Sequence, residues 1–190
     1  MKYNSNEESL SNVNFVANRG ESIGVIGGTG SGKTTLINLL AHLYDVSSGA
    51  IYIDGRNVTS ISDEELHHII GIVPQKAVLF KGTIRSNMCL RKEDASEEEI
   101  LEALTVAQAK DFVLKKENGI DAVVEQEGKN FSGGQRQRLT IARALVGNPN
   151  NVILDDSASA LDFLTDLNLR KALKNLKNNP LVFIISQRTS

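Results

Sequence analysis

Short apolar runs alternate along this chain with stretches of helical periodicity. Residues 22–26 form the first apolar run and lead straight into glycines. From 33 to 43 the period lengthens, and Leu36, Leu39, Leu40 and Leu43 fall on one face of a predicted helix. Residues 50–53 read as a strand, and Asp54-Gly55 as a hairpin-type turn. A further short strand at 70–73 is ended by Pro74. The pattern is helical from 96 to 116, where Ser96 is placed to cap and Glu97, Glu98 and Glu99 suit the positive end of a helix. A helix at 133–146, a buried strand at 151–154, a helix at 163–176 and a last strand at 181–185 follow. Strands alternating with helices predict an α/β fold, a parallel sheet covered by helices. There is no internal repeat and no low-complexity segment.

Composition narrows the class. At 190 residues the chain is long enough for one domain with a sizeable core, and 41% hydrophobic with 23% charged residues is ordinary for a globular protein. A net charge of −2 argues against a nucleic-acid partner. The single cysteine, Cys89, cannot form an internal disulfide, no Cys/His cluster offers a metal site, and a reduced setting fits. No apolar run reaches the length of about 18 residues that spans a membrane, and no signal-like segment opens the chain.

The clearest chemistry lies at Gly27-Gly28-Thr29-Gly30-Ser31-Gly32-Lys33-Thr34, which fits G-x-x-x-x-G-K-(S/T). Glycines let backbone N–H groups curl around phosphate oxygens. The helix that follows points its N-terminus at them. Lys33 is expected to reach the β- and γ-phosphates of ATP, and the Thr34 hydroxyl to ligate Mg²⁺. Thr35 is counted with the loop. A glycine-rich turn with an incidental lysine would not place an apolar strand before it and an amphipathic helix after it.

A second site candidate closes the strand at 151–154. Asp155 and Asp156 follow the apolar residues, and in a parallel sheet ligands sit beyond the carboxyl ends of strands. Asp155 is expected in the Mg²⁺ shell and Asp156 beside an attacking water. An aspartate pair that merely caps a turn is the plainer alternative.

Phe131-Ser132-Gly133-Gly134-Gln135, followed by Arg136-Gln137-Arg138, resembles the LSGGQ signature of ABC ATPases. Its physics is again a helix N-terminus, with Ser132 as cap and Gly133 and Gly134 admitting an anion closely. Nearly the whole chain is similar to the nucleotide-binding domain of an ABC transporter. The resemblance implies a P-loop core with a mostly parallel sheet, an N-terminal antiparallel β portion and a helical subdomain inserted near 96–146. It implies that Ser132 to Gln135 face the γ-phosphate bound by a second ABC domain in a head-to-tail dimer. Tyr3 matches the aromatic that stacks on adenine. Gln75, after Pro74, matches a glutamine that senses Mg²⁺ and touches the membrane-spanning domain. Ser159 to Asp162 resembles the loop that crosses the dimer interface, and Phe80 to Asn87 a segment typical of exporters.

Two residues depart from the family pattern. Where the family places a Glu as general base, this chain has Asp156, one methylene shorter, and base catalysis depends on hydrogen-bond reach. Where the family has a His at the γ-phosphate, this chain has Gln187, which donates a hydrogen bond but cannot become cationic. Together they resemble the degenerate half of a heterodimeric exporter, whose own site binds ATP and hydrolyses it weakly. A competent homodimeric exporter, a soluble ABC ATPase outside transport and a small P-loop kinase stand as alternatives. The resemblance further implies a fragment lacking its membrane domain and C-terminal end, working at the cytoplasmic face of the cell membrane. His42, His67 and His68 read as surface or packing residues. Arg136, Arg138 and Arg143 read as an exposed, locally ion-paired face of one helix.

Overall fold

The computed structural model describes residues 10–157 and 159–186. In chain order the elements are β1 (Ser22–Ile26), α1 (Lys33–Leu40), β2 (Tyr52–Ile53), β3 (Arg56–Asn57), α2 (Asp63–Ile69), β4 (Ile70–Val73) and β5 (Gly82–Thr83). Then come α3 (Ile84–Cys89), α4 (Glu97–Val106), α5 (Lys110–Leu114), β6 (Val123–Val124), α6 (Gly133–Leu145), β7 (Asn151–Asp155), α7 (Phe163–Lys174) and β8 (Leu181–Ser186). The main sheet has the order β1-β8-β7-β4, and every neighbouring pair in it is parallel. Among the described residues, antiparallel pairing is confined to β2 with β3 and β5 with β6. This is the predicted α/β class with its mostly parallel sheet.

Because side chains alternate across a strand, the central strands divide between two cores. Ile153, Phe183 and Ile185 pack on one face with Ile37 of α1 and Leu66 of α2. Val152, Leu154 and Val182 pack on the other with Leu139, Ile141 and Leu145 of α6. Burial on both faces explains why β7 and β8 read as unbroken apolar runs. The second core continues through α3, α4 and α5, and α4 lies against α6.

Two helical expectations are corrected. The first helix stops at Leu40, not Leu43. His42 takes a left-handed conformation with φ 52°, His42 N–H donates to Leu39 O, and Leu43 N–H donates to Asn38 O. This pair of bonds is the Schellman closure of a helix, and it leaves Leu43 64% exposed. The same closure at Gln108, φ 58°, splits 96–116 into α4 and α5. The start of that stretch is as expected: Ser96 Oγ accepts from Glu99 N–H, and Glu99 Oε2 accepts from Ser96 N–H.

The arginines of α6 are also corrected. Arg136 donates to Phe131 O at 2.6 Å, Arg138 donates to Gln108 O at 2.8 Å, and Arg143 lies 5.7 Å from the Phe80 ring centroid. Among the described residues the direct ion pairs involve none of the three. Neighbouring elements cover this helix, so its guanidinium groups find carbonyls and rings in place of carboxylates.

Helix α3 was not anticipated. Thr83 and Ser86 cap it reciprocally, and Ile84 and Met88 are fully buried. Asn87, 1% exposed, closes the preceding loop: Oδ1 accepts from Phe80 N–H, and Nδ2 donates to Phe80 O and Thr83 O. Asn87→Leu keeps the branching at Cγ but removes the amide, which strands those backbone groups. It should lower unfolding free energy by about 2 kcal/mol, read by urea denaturation. No change would show that the loop closes without that side chain.

Candidate functional site

Strands β1, β7 and β4 run parallel, so their carboxyl ends open on one edge of the sheet, where ligands collect in such folds. After β1 the loop passes through left-handed turns at Gly30 (φ 82°) and Gly32 (φ 87°). A Cβ on Gly27 would lie 2.5 Å from Ser31 Oγ, so glycine there lets the Ser31 side chain fold over the loop unhindered. Gly32 is the N-cap of α1 and supplies no side-chain cap, which leaves the first N–H groups available to an anion.

Lys33 folds back over this loop. Its Nζ donates to Gly27 O and Gly28 O, both at 2.6 Å, and to Ser31 Oγ at 3.3 Å. Gly28, Thr29 and Thr34 are exposed, whereas Thr35 is buried on the inner side of α1.

Asp155 ends β7 half-buried, in register with Ile185. Burial pushes its pKa up, the charge of Asp156 adds to the shift, and the Lys33 cation opposes it. Lys33 and Asp155 therefore act on each other electrostatically across the site. Asp156 bends the chain away with φ 45°. Its N–H donates to Ile185 O, and its C=O accepts from Ser159 N–H and Oγ–H. Gln75, exposed just past β4, donates from Nε2 to Asp156 Oδ2 at 3.4 Å.

The hydroxyl of Thr34, the amide oxygen of Gln75 and the carboxylates of Asp155 and Asp156 are hard oxygen donors, a set that fits Mg²⁺. No group of three or more His, Cys, Asp or Glu side chains among the described residues could hold a metal by itself. Mg²⁺ typically takes one or two carboxylates and completes its shell with water and substrate phosphates.

The Ser132–Gln135 stretch opens α6. Ser132 Oγ accepts from Gln135 N–H at 3.3 Å, and Gln135 Oε1 accepts from Ser132 N–H at 3.0 Å. Gly133 is exposed, and a Cβ on Gly134 would meet Ala160 O at 3.4 Å, so the helix start lies against the 159–162 turn. Asp162 ends that turn and caps α7 through Thr165. Among the described residues no hydrogen bond joins 132–135 to the loop at 27–34. Tyr3 and Gln187 lie outside the described residues.

Sequence reasoning missed the Gln75–Asp156 bond and the left-handed backbone at Asp156. Aspartate's tolerance of that conformation was the one available signal, and it is weak.

The model of the family described as ABC transporter matches residues 10–159. An uncharacterized ABC transporter ATP-binding protein of Bacillus subtilis, YfiB, is 49% identical over 166 residues, covering 87% of this chain and 29% of that protein. The beta-(1→2)glucan export ATP-binding/permease protein NdvA of Bartonella bacilliformis is 41% identical over 189 residues, covering 100% of this chain and 32% of that protein. A bacterial Atm1-family ABC exporter solved with ATP bound superposes with a TM-score of 0.90 at 33% identity, over 98% of this chain and 33% of that one. The chain thus spans about a third of the length of these relatives. No helix among the described residues is long and apolar enough to cross a membrane. With a phosphate loop, an acidic strand end and a capped signature helix on this sheet, the chain belongs to the ABC transporter family as an ATP-binding domain.

Proposed function

We propose that this domain powers export: it binds Mg-ATP and works head-to-tail with a second, non-identical ABC ATP-binding domain. Its own site turns ATP over slowly, and its Ser132–Gln135 helix completes the partner's site. The similarity to a glucan-export ATP-binding/permease protein and to an Atm1-family exporter supports the export reading.

The observation that carries the slow-site reading is the end of β7. Asp156 is the carboxylate nearest the role of general base. Its side chain is short, its backbone is turned into the left-handed region, and its Oδ2 already accepts from Gln75. A base must reach the water that it polarises.

In this reading Lys33 balances charge on the β- and γ-phosphates, and Thr34, Gln75 and Asp155 hold Mg²⁺. The metal supplies Lewis-acid polarisation of the phosphates. The loop amides at 27–32 and the α1 N-terminus bind and orient the phosphate chain, with Tyr3 on the adenine. Gln187 donates a neutral hydrogen bond to the γ-phosphate. Residues 96–146 form the helical subdomain that carries the signature. Closure and reopening of the dimer move a membrane-spanning domain that contacts the surface near Gln75. Gln75 suits that role because it is exposed and yet reaches Asp156 directly. This arrangement places the domain on the cytoplasmic face of the cell membrane.

The test is Asp156→Glu in the purified transporter, with the partner's phosphate-loop lysine changed to alanine so that only this chain's site can turn over. Turnover should rise about tenfold, below the full worth of a well-placed base because Glu tolerates a positive φ poorly. If the unaltered site already turns over as fast as the Glu variant, the slow-site reading fails and a competent homodimeric exporter replaces it.

A further inference from the structure

The signature helix is fastened near its start by one side chain. Arg138, one turn into α6, donates from Nη1 to Gln108 O at 2.8 Å and from Nε to Gly134 O at 3.3 Å. Gln108 is the left-handed corner between α4 and α5, and its own amide caps the end of α4 through Thr105 O and Val106 O. The Arg138 guanidinium also lies 4.8 Å from the Phe112 ring of α5. Phe112 meets Phe131 edge-on with centroids 6.5 Å apart, and Lys116 Nζ lies 4.4 Å from the Phe131 ring. The stack Lys116–Phe131–Phe112–Arg138 therefore brackets the residue that precedes Ser132.

We infer that Arg138 is a positioning residue for the shared ATP site, fixing the first turn of the signature helix against the Gln108 corner and the Phe112 ring. The inference rests on the shared-site reading proposed above. Three features separate it from plain packing. Burial pulls the Arg138 pKa down and only the charge of Asp162 opposes this, so the cation is held against a desolvation penalty. The two carbonyls it binds belong to different elements, one of them a signature glycine. A Cβ on that glycine would meet Ala160 O at 3.4 Å, so the first turn of α6 packs beside the 159–162 turn. A planar fork donates to two carbonyls and stacks on a ring in one fixed geometry, which a lysine ammonium cannot reproduce.

The experiment uses the full-length transporter with its partner domain. It compares Arg138→Lys, Arg138→Met and Phe112→Leu, with Ser132→Glu as the control for the shared site. Ser132→Glu should abolish turnover by placing a carboxylate where the γ-phosphate binds. Both Arg138 variants should lower kcat about tenfold with KM for ATP nearly unchanged, because small misplacement of a group that acts in the closed state falls on kcat. Phe112→Leu should give a smaller loss of the same kind. Binding of a fluorescent ATP analogue to this chain's own loop should stay unchanged. If Ser132→Glu abolishes turnover while Arg138→Lys and Arg138→Met keep it within about twofold, Arg138 does not position the signature. If turnover and own-loop binding fall together, Arg138 is a structural residue of the whole domain and the inference is overturned. If Ser132→Glu itself leaves turnover intact, the shared-site reading fails first.

Discussion

Lys33→Ala should weaken ATP binding by about 10²- to 10⁴-fold while leaving the fold intact. The Lys33 ammonium is held over the loop by two carbonyls and a hydroxyl, where it can turn to a phosphate with little rearrangement. Charge-assisted hydrogen bonds contribute about 1.5–3 kcal/mol each, so losing two phosphate contacts removes roughly 3–6 kcal/mol. Each 1.4 kcal/mol is about tenfold in affinity. The Lys33 partners within the chain are loop groups, Gly28 O exposed and Gly27 O partly so, and their carbonyls hydrate when the side chain is truncated. Titration with a fluorescent ATP analogue measures the affinity. A thermal shift supplies a second readout, since ATP at about 100 times its dissociation constant stabilises the folded state by about 2.7 kcal/mol and should stop doing so. A loss smaller than about fivefold would move the main phosphate contact from Lys33 to the loop amides and the α1 N-terminus.

Gly71→Ala should be the most damaging small substitution in the sheet, lowering stability by about 3 kcal/mol. A Cβ there would lie 2.3 Å from Ala144 O and 2.9 Å from Pro149 Cγ. The nearer atom is backbone of α6, so the strain cannot be relieved by swinging a side chain. The helix must lift from the sheet by the better part of an ångström, which loosens Leu139, Ile141 and Leu145, all nearly fully buried. For a domain of this size the unfolding midpoint should fall by roughly 6–12 °C. The matched control is Gly24→Ala in β1, where a Cβ meets nothing within 4 Å. That variant should stay within about 0.5 kcal/mol of the parent. If the two variants melt together, α6 does not need the close approach that Gly71 permits. Because the same helix opens with Ser132, Gly71→Ala should also depress turnover in whatever fraction remains folded.

Much of this architecture was legible locally. The strand at 22–26 ends where its glycines begin, the strand at 70–73 ends before Pro74, and the apolar runs at 151 and 181 are the buried strands that they predict. The caps at Ser96 and Ser132 were legible for the same reason, since a capping box lies within four consecutive residues. The phosphate loop, the strand-end aspartates and the signature are all short contiguous motifs.

What the chain did not announce depends on partners far apart in sequence or on backbone choices without a distinctive residue. Helix α1 stops early and the 96–116 stretch breaks because His42 and Gln108 enter the left-handed region, and neither position carries the glycine that usually marks such a turn. The arginines of α6 looked solvated because helical periodicity describes one helix and not the elements that cover it. Gln75 and Asp156, 81 positions apart, meet because the strand order sets β7 beside β4 with both carboxyl ends on one edge. Most strands, the capping boxes at Ser96 and Ser132 and the short contiguous motifs were readable locally, since they follow from interactions within one turn or one strand. The tertiary structure decided which of these chemical groups share a space, since that follows from long-range packing of the sheet and its covering helices.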